Sequence, residues 1–390
     1  MKNIILILSL SIVFVSLSVS QDVPTFPTAK VGNKVLVFIE PKIDEAKIEP
    51  LRQQLKKQLG TPAAAETQIS IAMLFYDERV YSQAVNEYKV FLSTYNKHQK
   101  GDEAQVYLMR SYSALRQDQN ALDEAQKFIV NNPGSKYVDD TKEIICHSYY
   151  QLGKYQEAIN QYAIISQKSS KSDLREKSYF LTGKAYGQLS RYDEGISHLE
   201  QFVRNNPSSE LLADTYVELG RYYTHFKATD FKMDKKEHNK VFVLIKERLT
   251  KAIQNYQLAL SKTATSDQRV KAQYELASTY LQLGEREKAI EELKTLLSLY
   301  PSESYSSIAG YRLGVCLFEL KKYGDAIDQF AKLERIYPDY PNKDGILFFV
   351  GQSYLGDGKK DLAAEKFRML LSKYPKSNFK GAVESILKGV

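Results

Sequence analysis

The sequence predicts an all-α protein, an α-solenoid of about eight helix-turn-helix repeats, on three observations. Ala84, Ala121 and Ala158 stand 37 residues apart, Gly195 follows at the same step, and Ala289, Ala326 and Ala363 resume it. A fixed period of that size marks stacked units, each too small to bury its own apolar face. In the unit QLGKYQEAINQY (151–162), Leu152, Tyr155, Ala158, Ile159 and Tyr162 recur at three- and four-residue steps, the spacing of one helix face. Prolines at 133, 207, 301, 338 and 375 close five of the units, where each stops one helix before the next begins. The interval from Gly195 to Ala252 is 57 residues, 20 more than the period, and places a single insertion in the fifth unit.

Taken in order, residues 1–20 (MKNIILILSLSIVFVSLSVS) read as an export signal peptide: one lysine, a short apolar run, then Ser18 and Ser20 before the cleavage point. Cleavage after Ser20 leaves Gln21 first; the alternative is a retained anchor, because the run is little shorter than a spanning helix. Residues 21–64 form an N-terminal extension. Its stretch KVLVFIEP is β-branched and apolar enough for a short strand at Val35–Ile39, and 44–60 has helical character. The repeats occupy 65–376. Their first helices carry a small residue among bulky ones: Gly183 with Tyr186, Gly220 with Tyr223, Ala277 with Tyr280, Gly314 with Leu317, and Gly351 with Tyr354. Glycine costs helix stability, so its recurrence there predicts close helix–helix approach. Gly153 marks a turn between the two helices, and Ser135, Ser209 and Ser377 are expected N-caps. The insertion covers about 226–246, and 377–390 is expected to cap the array with a short helix.

This pattern resembles the tetratricopeptide repeat (TPR), with its small residue in the first helix, tyrosine three residues on, alanine early in the second helix and terminal proline. The resemblance implies a right-handed superhelix whose first helices line the concave face. The 37-residue unit is similar to that of exported bacterial envelope proteins, the outer-membrane assembly lipoproteins and Tol-Pal-associated proteins. Two departures are plain: no lipid-bearing cysteine follows the apolar leader, and no heptad region precedes the repeats.

The net charge of +7 is too weak and too dispersed for nucleic acid. Cys146 and Cys316 fall four repeats apart, so a bridge is implausible and both read as small packing residues. The five histidines, at 98, 147, 198, 225 and 238, have no close metal spacing. His225 and His238 bracket the insertion and give only a remote metal possibility. No glycine-rich phosphate loop follows a strand. The expectation is no enzyme, no cofactor and no metal.

Surface offers more. With the first helices lining a groove, residues one period apart form rows, and one row reads Arg110, His147, Lys184 and Arg221. A second contains Phe180, Tyr274, Tyr311 and Phe348, with Phe318 a turn away from it. Together they suggest a groove basic in its N-terminal half and aromatic in its C-terminal half, suited to a partner segment with an acidic stretch. The competing reading is that these side chains fill gaps between helices. In the insertion, Lys232, Lys235 and Lys236 precede the apolar run containing Phe242; this is either a lengthened second helix with a polar loop or a projecting contact arm. The strand at Val35–Ile39 either pairs with a partner's sheet edge or caps the first repeat. The expected function is a non-enzymatic scaffold that assembles other proteins, subunits of a larger complex, in the periplasm or an equivalent lumen, with self-association open. The alternative is an envelope adaptor for outer-membrane or cell-wall machinery.

Overall fold

A computed structural model describes residues 40–225, 238–262, 265–303 and 305–389, with side chains throughout except at 238–242, and the backbone of four strands before residue 39. These are β1 (Ile4–Leu8), β2 (Ser11–Phe14), β3 (Thr28–Val31) and β4 (Lys34–Phe38), hydrogen-bonded in the order β2-β1-β4-β3. β1 and β2 lie in the leader-like segment, and β4 falls on the stretch Val35–Ile39.

From residue 40 onward every regular element described is a helix, eighteen in all. α1 (Glu45–Gln58) comes first. Eight pairs follow in sequence: α2 (Ala63–Asp77) and α3 (Tyr81–Thr94); α4 (Gly101–Ala114) and α5 (Asp118–Asn131); α6 (Val138–Gln151) and α7 (Tyr155–Lys168); α8 (Ser172–Gln188) and α9 (Tyr192–Asn205); α10 (Leu212–Thr224) and α11 (His238–Ser261); α12 (Ser266–Gln282) and α13 (Arg286–Leu299); α14 (Ser306–Glu319) and α15 (Tyr323–Ile336); α16 (Lys343–Gly356) and α17 (Lys360–Lys373). α18 (Lys380–Leu387) begins one period after α16, so it is the first half of a ninth repeat. α1 likewise stands where the second half of a preceding repeat belongs.

The chain divides into two compact units at Ser190/Arg191. In the first, α1 to α8 pack in sequence order, and α2 also touches α4, as α4 touches α6. In the second, α9 to α18 do the same, with α10 against α12 and α14 against α16. First helices of successive repeats thus meet from α2 through α6 in the first unit, and as α10 with α12 and α14 with α16 in the second.

The small residue of each first helix and the large one of the second are complementary. Gly314 faces Phe330 and Gly351 faces Phe367 so closely that a Cβ would come within 2.6 and 2.5 Å of a ring carbon. Ala277 lies in one buried cluster with Leu293, and Cys146 in another with Tyr162. Repeat two reverses the sizes, with Met109 and Ala125 both fully buried. Cys146 is thus a packing residue at the small position; both cysteines are free and buried, and burial pushes the Cys316 thiol up to about 11.

Turns inside the repeats end the first helix in a left-handed residue. Gly153, Gly284 and Gly358 take this position, but so do Arg79, Arg116, Ser190 and Lys321. The Lys322 N–H donates to Leu317 O and the Lys321 N–H to Phe318 O, a Schellman pair that satisfies carbonyls at the helix end. In repeat five the corresponding turn position falls outside the described residues. Arg248 of α11 reaches the end of α10, donating to Tyr222 O and His225 O at 3.3 and 3.4 Å while pairing with Asp193 at 3.0 Å. The His225 N–H also donates to Tyr222 O at 3.2 Å, so the guanidinium adds to the backbone cap of α10.

Between repeats, the serines differ from expectation. Ser135, Ser209 and Ser377 accept from the backbone N–H two residues on, at 3.3, 3.0 and 3.1 Å, and the helices begin later, after Tyr137, Leu211 and Phe379. They close the connecting turn and are not N-caps. Three connections, 95–100, 169–171 and 262–265, contain no proline; the helices after the last two, α8 and α12, are 17 residues long, where the other first helices have 13 to 15. α12 also starts from a capping box, Thr265 with Gln268.

At the N-terminal side, Ile48 of α1 is fully buried. Glu40 accepts from the Ser82 N–H at 2.7 Å and from its hydroxyl, placing a carboxylate at the start of α3.

Candidate functional site

The basic row of the first unit is built on α4, α6 and α8, and the structure gives each member a companion. Arg110 pairs with Asp140 of α6 at 3.1 Å, and Lys171 reaches the same carboxylate at 2.6 Å. Lys184 lies over the Phe180 ring of its own helix, 5.7 Å from the centroid, so the row's cation and the aromatic row's first residue form one i, i+4 pair. His147 is exposed, with Nε2 3.2 Å from Gln151 Nε2. Beside the row, Lys177 of α8 pairs with Glu143 of α6 at 2.5 Å.

Arg221 belongs to the second unit and sits in a denser arrangement. It pairs with Glu218 at 2.6 Å, and Lys271 of α12 approaches the other oxygen of that buried carboxylate at 3.9 Å. Gln268 donates to Asp214 at 2.8 Å. Glu275 lies further along the same side; burial raises its carboxyl above the usual range, opposed by Arg221, Lys271, His225 and Arg312. Arg312 of α14 is exposed, rests over the Tyr274 ring at 5.4 Å, and pairs with no carboxylate among the described residues.

Glu218, Glu275 and Arg312 escaped the sequence reading, although they stand at one repeat position, separated by the same 57 and 37 residues. Asp214, Lys271 and Ile308 form a further row one turn earlier. The periodicity to find them was present. What hid them was the mixture of signs: a row of one charge draws notice, whereas alternating charges read as solvated surface.

The aromatic row is largely occupied with its neighbours. Tyr274 is buried against Tyr305 at 4.9 Å, Phe348 stacks on Phe379 at 4.4 Å, and Phe318 meets Phe349 edge-on at 5.5 Å. Tyr311 is half-buried beside Tyr340 and reaches a cleft of about 480 Å³. That cleft is lined by Leu281, Ile308, Val315 and Arg312, and is bounded by the Arg286–Glu319 ion pair at 2.6 Å.

Lys232, Lys235 and Lys236 lie outside the described residues, as does the side chain of Phe242, whose backbone belongs to α11. The side chain of His238 is likewise outside them, so its suggested meeting with His225 goes unplaced. Among the described residues no three His, Cys, Asp or Glu gather as metal ligands, and no described helix is long and apolar enough to cross a membrane.

Comparison with known proteins agrees with this architecture. The tetratricopeptide repeat family matches residues 274–341 in one model and residues 177–209 and 350–377 in another. The chain carries tetratricopeptide repeats. No curated protein matches the sequence. Among solved structures, the C-terminal part of a TPR repeat-containing protein from Cytophaga hutchinsonii is similar over 72% of this chain and 98% of its own, at 17% identity and a TM-score of 0.54. MamA protein is similar over 52% of this chain and 92% of its own, at 21% identity and a TM-score of 0.39. YrrB, described as a TPR protein with an unusual peptide-binding site, covers 58% and 97%, at 14% identity and a TM-score of 0.42. At these identities the likeness concerns the fold.

Proposed function

We propose that this protein is a non-enzymatic scaffold that binds other proteins and assembles them into a larger complex, in an extracytoplasmic compartment of a bacterium. The observation that carries the reading is the side of the second unit where first helices meet. There, Arg221, Lys271, Glu275, Arg312 and several tyrosines stand in adjacent repeat rows, a band of charged and aromatic groups on α10, α12 and α14. Arg and Tyr are the residue types that dominate binding energy at protein interfaces. Stacked repeats expose such rows over many helices, a geometry suited to an extended or helical partner segment. The leader of residues 1–20 supports export, and the repeats themselves are agnostic about compartment.

The test is a pull-down of the full chain from its native cells after brief cross-linking, with partners identified by mass spectrometry. Sequencing the N-terminus of the recovered protein, expected to begin at Gln21, checks export in the same sample. Recovery of soluble complex subunits is the expected result. Outer-membrane proteins or wall fragments would instead favour an envelope adaptor, and the absence of any enriched protein would reject the scaffold.

A further inference from the structure

We infer that the cleft between α12 and α14 is a docking pocket for a partner segment carrying an aliphatic side chain close to a carboxylate. The inference rests on the reading of the chain as a protein-binding scaffold and assigns it a specific subsite. Four observations converge on it. The floor is apolar, formed by Leu281, Val315 and the half-buried Tyr311. Ile308 stands at the rim with 41% of its surface exposed, on the first turn of a helix whose other apolar residues are buried or half-buried. The volume of about 480 Å³ falls within the range of sites that enclose side chains or small ligands.

Charge supplies the rest. Glu218 is matched by Arg221 and Lys271, and Arg286 is matched by Glu319. Arg312 is the lining cation left without a carboxylate among the described residues, and its guanidinium is already held against the Tyr274 ring. A planar, pre-positioned guanidinium loses little freedom on receiving a carboxylate in two parallel hydrogen bonds. Three repeat rows meet here: Ile308 follows Lys271, Arg312 follows Glu275, and Val315 continues the row of Arg221. In repeat five the equivalent positions are all charged, with Glu218 held by Arg221 and by Lys271 of repeat six, and Asp214 accepting from Gln268. At α14 the aliphatic Ile308 and Val315 take two of these positions and Arg312, with no ion pair among the described residues, takes the third, so the charge of the rows changes here from mixed to positive.

The probe is a library of random dodecapeptides displayed on phage and selected against the full chain, with affinities of the enriched peptides then measured by fluorescence anisotropy. Enriched peptides are expected to share an Asp or Glu within a few residues of Leu, Ile or Val. Arg312→Glu and Ile308→Asp are each expected to weaken binding at least tenfold, and Arg312→Lys to weaken it less than Arg312→Glu does. Lys332→Glu, an exposed change on α15, should leave affinity within twofold. Circular dichroism melting curves of all four variants should match the parent chain, since each altered side chain is exposed. Failure to enrich peptides of this kind overturns the pocket, as does binding insensitive to both Arg312→Glu and Ile308→Asp. If Arg312→Glu still captures the cellular partners of the parent chain, the scaffold stands and this subsite falls. If no variant captures any partner, including the parent, the scaffold itself falls.

Discussion

At Gly314 a single methyl group separates two packing solutions. A Cβ there would lie 2.6 Å from a Phe330 ring carbon. Overpacking of that kind costs about 1–3 kcal/mol, more than the roughly 1 kcal/mol by which alanine outperforms glycine in a helix. Repeat six shows the other solution, with Ala277 and Leu293 at the same two positions. Gly314→Ala is therefore expected to lower stability by up to about 2 kcal/mol, and adding Phe330→Leu should recover part of it. Urea unfolding of both variants decides the matter; a double variant no more stable than the single would reject the exchange. Asp118 poses a different residue-scale question. It is 6% exposed, one carboxylate oxygen has no partner, and Arg116 Nε stands 3.8 Å from the other. Burial raises its pKa, with Arg116 and His147 pulling the other way. The sign follows from linkage: stability from the protonated form is full below the usual aspartate range and lost as pH rises through the higher folded value. Asp118→Asn should thus raise the melting temperature at pH 7 and gain little at pH 4. An equal gain at both would show that ionisation is not the cause.

Elements divide by how openly their ends are written. The left-handed turn after the first helix is visible at Gly153, where glycine announces it, and concealed at Arg79, Arg116 and Lys321, where the residue type argues against it. The repeat frame places all of them at one position, so the period carries information that local propensity withholds. Non-glycine residues pay about 1–2 kcal/mol there. Lys321→Gly is expected to stabilise the second unit by about 1 kcal/mol, and Gly284→Ala to destabilise it by a similar amount. Nothing lies within 4 Å of the missing Cβ of Gly284, so the loss would come from the backbone alone. Equal stability of all three chains in urea would refute the argument. The serines show the converse limit: their type suggested caps, but proline-containing turns delay the helix start by two residues, and the hydroxyl serves the turn.

Across the whole molecule, eight repeats were legible because burial enforces the period, and small and large residues must recur wherever helices approach. The candidate site was legible only in part. Rows follow from the period, so Arg110, His147, Lys184 and Arg221 could be aligned from residue numbers. Pairing depends on side-chain geometry across helices, and so the Asp140 that answers Arg110, or the Tyr274 that holds Arg312, could not be. Repeat five supplies a last consequence. Its small residue Gly220 and its large residue Tyr256 make the same close approach as Gly314 and Phe330, despite the longer path between them. The fit is indifferent to the detour, which makes the detour separable by surgery. Joining Ala228 to Leu249 would remove 20 residues, restore the register and bring Lys227 to the left-handed position. With Lys227→Gly added, the shortened chain is expected to fold with an unchanged helical signature per residue. A collapse of that signature would show that the excised segment is needed for folding; a folded chain that has lost a partner would assign that partner to the excised segment.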